Sequence, residues 1–597
     1  MNLKDMVFEL CDFNFTGGIE EKDADGVYVC YDGKNAVVGG GTIPEKCRAY
    51  TLLAKNIKEG RKSFEISQKP AFKTVGAMLD MSRGGVMRAE SVKKYIKYLA
   101  AHGMNMLMLY TEDTYEVEKY PYLGYQRGRY TLSELREIDD FAYSLGVEVI
   151  PCIQTLGHME QFLHHSVNYE ISDGARTLLI GDERTYAFID ECISTMRKAF
   201  RSKRIHVGCD ETNELGRGRY LDLNGYRNVF EIYTEHLERV CEICRKYDFH
   251  PMIWSDMYFT FSQPLVAETY QVGIEVPQFA IDAMPEGLDM VFWDYYHTNS
   301  EFYRENIKIH KSFNRKTIFG GGIWTWDGFV PNYTHTYNTM KPALEECLDG
   351  GIDEVIATVW SNNGCETSQF LSVPMLSMFS EYCWLGKGCT EEDIWSMSNL
   401  FTGMTRELAD AVSDFFFRED GAIRAGKHVL WSDPLINIIC FDINFDGGIE
   451  YLKNGLKTFE KYNDFKYIEY FKAVFRACLD KCIIQTQLRK KYKEGDRDFL
   501  RDFAENVLPK MIADFENLFA IHKKIWFNDY KAQGFERISI RYDGTIGRMR
   551  YAAETILRYL DGEISTIEEL EPEIIRGVKT KWLGASDSML TSCDGCI

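Results

Sequence analysis

Between about residues 73 and 375 the chain repeats one local pattern eight times, a short apolar run followed by a stretch with helical periodicity, and no other feature constrains the fold as tightly. The strand candidates are Val75 to Asp80, Met106 to Tyr110, Val147 to Gln154, Ile205 to Asp210, Pro251 to Asp256, Met290 to Tyr295, Thr317 to Trp324 and Glu354 to Trp360. Helices are expected over Ala89 to His102, Leu132 to Leu145, Thr185 to Phe200 and Val229 to Tyr247, with Gly103 and Gly146 stopping the first two. Eight such units in about 290 residues match an α/β fold, the (β/α)8 or TIM barrel, whose functional face lies at the C-terminal ends of its strands.

Chemistry-bearing side chains gather at those ends. Asp80 and Arg83 follow the first strand, Glu112 and Asp113 the second, His158 the third, and Asp210 and Glu211 the fourth. The later strands end in Trp254 and Asp256, then Trp293, Asp294 and Tyr295, then Trp324, Trp326 and Asp327, then Trp360, Asn362 and Glu366. Five of the ten tryptophans therefore fall at the ends of strands five to eight, where a barrel needs a pocket wall. Aromatic faces cover the C–H face of a pyranose while carboxylates and amides bind its hydroxyls, so this composition points to a sugar pocket.

The run His206-Val207-Gly208-Cys209-Asp210-Glu211 is central, because neighbours on a strand point to opposite sides. Two consecutive acids can share one site only with a division of roles, or if the chain turns between them. An isolated Asp-Glu pair is most simply a solvated loop start; the surrounding strand ends weigh against that here. His158 and His206 each stand between a supporting hydrogen bond and direct participation. Trp254, Trp293, Trp326 and Trp360 stand between interlayer core and sugar contact, and Glu112 and Asp113 could serve as loop caps. Arg83, following a buried strand on the functional face, reads as a ligand clamp in preference to a surface ion pair.

At 597 residues and 45% hydrophobic composition the chain needs more than one core. Residues 1–72 read as a small α+β domain, with a hairpin of Gly26 to Tyr31 and Ala36 to Gly39 turning at Asp32-Gly33, then a helix from about Pro44 to Ile57. Residues 73–375 are the barrel and 376–597 a helical C-terminal domain, where Phe471, Phe475, Cys478 and Cys482 share a face, as do Ile512, Phe515 and Phe519. Its aromatics offer a core and a surface for a homodimer, and Arg489-Lys490-Lys491 reads as a solvated helix end.

A net charge of -21 argues against nucleic acid and anionic membrane as partners, since both demand a basic face. No apolar run approaches the roughly 18 residues of a membrane span, and acids occupy the first ten residues where a secretory leader would be apolar, so a cytoplasmic location is expected. The seventeen cysteines are dispersed through apolar segments, as buried thiols are. Two pairs, Cys241/Cys244 and Cys593/Cys596, have zinc-ligand spacing, but the first sits mid-helix and the second in a Ser/Gly/Asp tail. No metal site is expected.

The segment His206 to Glu211 resembles the histidine, glycine and Asp-Glu signature of glycoside hydrolase family 20, the β-N-acetylhexosaminidases. Leu79-Asp80-Met81-Ser82-Arg83 is similar to that family's first-strand motif, Leu156-Gly157-His158 to its Gly-His motif, and Ile253-Trp254-Ser255-Asp256 to its strand-five tryptophan. The resemblance spans the barrel. It departs at Cys209, where a second glycine is frequent, at Gln154-Thr155-Leu156, where acids usually precede Gly-His, and at Trp360-Ser361-Asn362, which lacks the acid often found after that tryptophan.

The resemblance implies an exo-acting, retaining β-N-acetylhexosaminidase that releases a terminal N-acetylhexosamine, GlcNAc or GalNAc, from an oligosaccharide or glycoconjugate through an oxazolinium intermediate, without a cofactor. Glu211 would be the general acid and base, Asp210 would orient the 2-acetamido group, and Tyr295, ahead of Tyr296, would hold its carbonyl. Arg83, His158, the four tryptophans and, in place of the missing acid, Glu366 would bind the sugar. A hexosaminidase family with two aspartates is disfavoured by Glu211. The alternative is a silent or weakly active carbohydrate-binding protein on the same barrel, or a structural role carried by the helical region.

Overall fold

The computed structural model describes residues 2–263, 268–326, 328–362, 364–413, 425–436 and 444–573. The Cys593/Cys596 pair and Asp327 lie outside them.

The first region is a helix (Leu3–Leu10) and a four-stranded sheet of β1 (Ile19–Lys22), β2 (Val27–Tyr31), β3 (Ala36–Gly39) and β4 (Phe64–Gln68), in the order β1-β3-β2-β4. β2 and β3 form the expected hairpin, with Tyr31 opposite Ala36 and Asp32 accepting the backbone N–H of Lys34 and of Asn35 at 2.7 Å each. The helix Ile43–Lys58 starts on a capping box between Thr42 and Glu45, with Pro44 in its first turn.

Eight parallel strands then close into the expected barrel: β5 (Thr74–Asp80), β6 (Met106–Glu112), β7 (Glu148–Ile153), β8 (Arg204–His206), β9 (His250–Trp254), β10 (Asp289–Trp293), β11 (Thr317–Gly322) and β12 (Glu354–Val359), with β12 pairing back onto β5. Nearly every strand residue is buried, because helices cover the outside and side chains fill the inside. The interior has its own apolar cluster, in which Met78, Met106, Met108, Ile150, Met252 and Ile318 lie beneath Tyr110, Trp254, Tyr295, Trp326 and Trp360.

β8 corrects the sequence reading. The expected strand to Asp210 stops at His206, because Gly208, Cys209 and Glu211 all have positive φ, of 72°, 69° and 50°. The chain turns where the two acids stand.

Beyond the barrel the elements are helical, including Ile468–Ile483, Leu508–Asp529 and Phe535–Leu560. Phe471, Phe475, Cys478 and Cys482 are all buried, and Pro509 sits in a first turn where its missing N–H is harmless. Arg489 is not a solvated helix end: its guanidinium gathers the carbonyls of Leu570, Pro572, Glu569 and Leu435 at 2.6 to 3.2 Å. Among the described residues no helix is long and apolar enough to cross a membrane.

Candidate active site

The strand ends converge on a pocket open to solvent and lined by Arg83, Asp210, Glu211, Trp254, Trp293, Tyr295, Tyr296, Trp326, Trp360 and Asn362. Four of the nine non-glycine residues with positive φ among the described residues belong to the site: Glu112, His158, Cys209 and Glu211. Such backbone costs of order 1 to 3 kcal/mol each where it is strained, and it persists where the surroundings over-determine it.

The turn after β8 sends the two acids into different surroundings. Asp210 is buried, while the side chain of Glu211 is half exposed. Both meet one imidazole, with His158 Nε2 at 3.2 Å from Asp210 Oδ2 and 3.4 Å from Glu211 Oε2. Burial opposes a charge on His158, but the Asp210 carboxylate, seconded by Glu211 and Glu112, raises its pKa well above the usual value. Burial likewise disfavours charge on Asp210, yet His158 and Gln154 bring it down to about 2. The hydrogen bond from His158 also holds Glu211 below the ordinary glutamate range.

Asp256 plays the opposite part. It is buried, and its Oδ2 accepts the backbone N–H of Glu211 at 2.9 Å, which fixes the turn. Burial, then the charge of Asp210, pushes its pKa well above the usual range, the opposite direction from its neighbour Asp210.

Arg83 lies between Asp80 Oδ2 at 3.2 Å and Glu112 Oε1 at 3.3 Å, with its guanidinium 4.7 Å over Trp360 and 5.0 Å over Tyr110. Glu112 is therefore part of this network and not a simple cap. Opposite, Trp293 stacks on Tyr295 at 5.4 Å, Trp326 meets Tyr295 edge-on at 5.3 Å, and the Tyr295 hydroxyl accepts Trp360 Nε1–H at 3.0 Å. The tryptophans are both things at once, the top layer of the barrel core and the pocket wall. His206 stays underneath: its Nδ1 accepts Gly208 N–H at 3.1 Å, its ring packs 4.4 Å from Trp254, and burial lowers its pKa to about 3.

Glu366 does not reach the pocket. Its carboxylate faces the C-terminal helices and is held by Arg541 at 2.6 Å, Lys427 at 2.7 Å and Trp431 Nε1–H at 2.9 Å. A buried carboxylate needs such cations, and these lie behind the loop. The polar group that the β12 loop presents to the cavity is Asn362.

Residues 72–296 match the model of the glycosyl hydrolase family 20 catalytic domain, and residues 411–583 that of the glycoside hydrolase 20C C-terminal domain. The chain belongs to glycoside hydrolase family 20. Among curated relatives, hexosaminidase D of Bos taurus is 30% identical over 235 residues, which cover 38% of this chain and 62% of its own length. Beta-hexosaminidase 1 of Arabidopsis thaliana is 23% identical, over 49% of this chain and 58% of its own. The chain thus spans less than two thirds of these relatives. A solved family 20 exo-β-N-acetylglucosaminidase from Vibrio harveyi, in complex with N-acetylglucosamine, aligns over 67% of this chain and 70% of its own with 15% identity and a TM-score of 0.48.

The family 20 catalytic match ends at Tyr296, so Trp326, Trp360 and Asn362 come from a stretch that neither model covers. Arg541, Lys427 and Trp431, which hold Glu366, fall within the 20C match. Sequence reasoning assigned no site role to three contributors. Gln154 contacts Asp210, Asn362 lines the cavity, and Arg176, on the loop after β7, lies 3.9 Å from Glu211. Gln154 had a signal, as a departure from the family pattern; Arg176, far from any strand end, had none.

Proposed function

We propose that this protein is an exo-acting, retaining β-N-acetylhexosaminidase that removes a terminal GlcNAc or GalNAc by substrate-assisted catalysis. The observation that carries the proposal is the division of the adjacent acids, one buried and ionised, the other half exposed, both on one histidine. Retaining glycosidases with a protein nucleophile place two carboxylates on opposite sides of the scissile bond, and family 20 departs from that scheme.

Asp210, ionised at the floor, accepts the acetamide N–H and offsets the positive charge of the oxazolinium ion. The Tyr295 hydroxyl donates to the acetamide carbonyl oxygen, which attacks the anomeric carbon. Glu211 protonates the leaving oxygen. Seating the substrate removes water from its exposed face and raises its proton affinity, the direction a donor requires. The same carboxylate then takes a proton from the water that opens the ring, with retention. Arg83 and Asn362 bind the outer hydroxyls, and the aromatic wall covers the ring's C–H face. Arg83, Trp360 and Asn362 along one side of the pocket support exo action on a terminal sugar.

The test compares a 4-nitrophenyl N-acetyl-β-glucosaminide with the matching β-glucoside. Losing one hydrogen-bonded contact costs about 1 to 3 kcal/mol, whereas losing a nucleophile of effective molarity about 10⁵ M or more should cost about five powers of ten in kcat/KM. Hydrolysis of the glucoside within about a hundredfold would overturn the proposal.

A further inference from the structure

Gln154, directly after β7, is buried, and its amide can face only one way. The carbonyl oxygen accepts the backbone N–H of Cys209 at 3.2 Å, so the NH2 group faces the pocket. One N–H donates to Asp210 Oδ1 at 2.7 Å and the other to the Tyr110 hydroxyl at 3.0 Å, which in turn donates to Glu112 Oε1 at 2.8 Å. Gly208 fits this arrangement, since a Cβ there would lie 2.0 Å from Gln154 Oε1. An amide N–H donates and takes no proton, so the Asp210 oxygen it meets stays an acceptor, and with His158 on Oδ2 the carboxylate plane is pinned from both sides.

We infer that Gln154 is a positioning residue that orients the Asp210 carboxylate and keeps a proton off the oxygen it contacts. The inference rests on the role proposed for Asp210. A carboxyl group at position 154 could do the same only while protonated, as a donor to Asp210; ionised, it would set acceptor against acceptor. The charged and titratable groups facing this pair are Arg83 and Asp80 from β5 and its loop, Tyr110 and Glu112 from β6, Cys152 from β7, and His158 from the loop after it. From the other side come His206 on β8, Cys209 and Glu211 in the turn after it, Asp256 after β9, Tyr295 after β10, and Tyr233 from the helix Val229–Lys246. None of these donates a hydrogen bond to Oδ1, so the amide is the group that holds it.

The experiment measures kcat and KM against pH for the wild type, Gln154→Glu and Gln154→Leu on a 4-nitrophenyl N-acetyl-β-glucosaminide. Gln154→Glu is expected within about threefold of the wild type in acid, then to lose about tenfold per pH unit through an ionisation that the wild type lacks, with KM nearly unchanged. Adding Asp210→Asn should remove that new limb. Gln154→Leu, which keeps a readout if the first variant does not fold, should lower kcat about 10- to 100-fold at every pH with KM within threefold. A Gln154→Glu profile parallel to the wild type, or a Gln154→Leu effect confined to KM, overturns the inference. If the wild type hydrolyses the β-glucoside as fast as the acetamide substrate, the proposed function fails instead, whatever the variants do.

Discussion

The two sides of the pocket are built from different materials. On the β5 to β8 side, Arg83, Glu112, His158, Gln154 and Asp210 hold one another through hydrogen bonds and ion pairs supplied by the barrel's own loops. On the β9 to β12 side the wall is aromatic, and the C-terminal helices brace its β12 corner from behind. There Arg541 and Lys427 grip Glu366, the Tyr530 hydroxyl accepts the N–H of Gln369, and the Tyr470 hydroxyl donates to the carbonyl of Phe329. Gln369 and Ser361 then tie that corner back to Asp80, since Ser361 N–H donates to Asp80 Oδ2 at 3.0 Å and Gln369 Nε2–H to Ser361 Oγ at 2.7 Å. Charge must be answered within hydrogen-bonding distance, so the polar side is held chiefly by its own residues. A ring wall is fixed only by what packs behind it, so the aromatic side draws on a second region.

That contrast is sharpest for Glu211, which should carry chemistry and little stability. Glu211→Gln is expected to lower kcat about 10² to 10⁴-fold on a basic leaving group and less on an activated aryl one, with an unchanged unfolding midpoint. Equal losses on both substrates would place Glu211 outside proton transfer. Glu366→Gln should behave in reverse. Removing the carboxylate that pairs with Arg541 and Lys427 should cost about 3 to 5 kcal/mol in denaturant unfolding, while the folded enzyme keeps kcat within about threefold; a stable variant with a raised KM would return Glu366 to the sugar pocket.

The polar side should also dominate the pH dependence of stability. The folded-state pKa of Asp210, about 2, lies below its ordinary 3.8, so its contribution, on the order of 2 kcal/mol, is present above pH 3.8 and lost as pH falls towards 2. His158 is raised in the folded state, so its contribution is complete below about pH 6.5 and lost as pH rises through the raised value. The two shifts describe one shared contact and do not add. Thermal melts of His158→Gln should lose both slopes, and retention of either would assign it to another pair. The smallest expected effect is on the aromatic side. Tyr295→Phe removes one hydroxyl, which accepts Trp360 Nε1–H and in the proposed mechanism donates to the acetamide, for about 1 to 2 kcal/mol in kcat/KM. A loss confined to stability would make that hydroxyl a strut for Trp360 alone.

The barrel was legible because eight apolar runs at regular spacing admit few closures, and strand ends project to one face whatever the loops do. Asp210 and Glu211 stood out for the same reason, although the strand reading ran four residues too far. Gly208 can be suspected of positive φ; Cys209 and Glu211 cannot, because their left-handed conformations are imposed by Asp256, which accepts Glu211 N–H, and by Gln154, which accepts Cys209 N–H. Glu366 was misread because a loop residue's number says nothing about which way it faces, and its partners lie 61 and 175 residues further along the chain.

Periodicity, strand-end composition and the consecutive acids were thus decided by the sequence alone, since each depends on neighbours within a few residues and on strand and helix geometry. Which acid is buried, which carboxyl has its pKa pushed up and which down, and whether a glutamate meets sugar or arginine were decided only by the tertiary structure. Burial and charge pairing are properties of a place, and that place is assembled from β6, β7, β8, β9 and the distant C-terminal helices together.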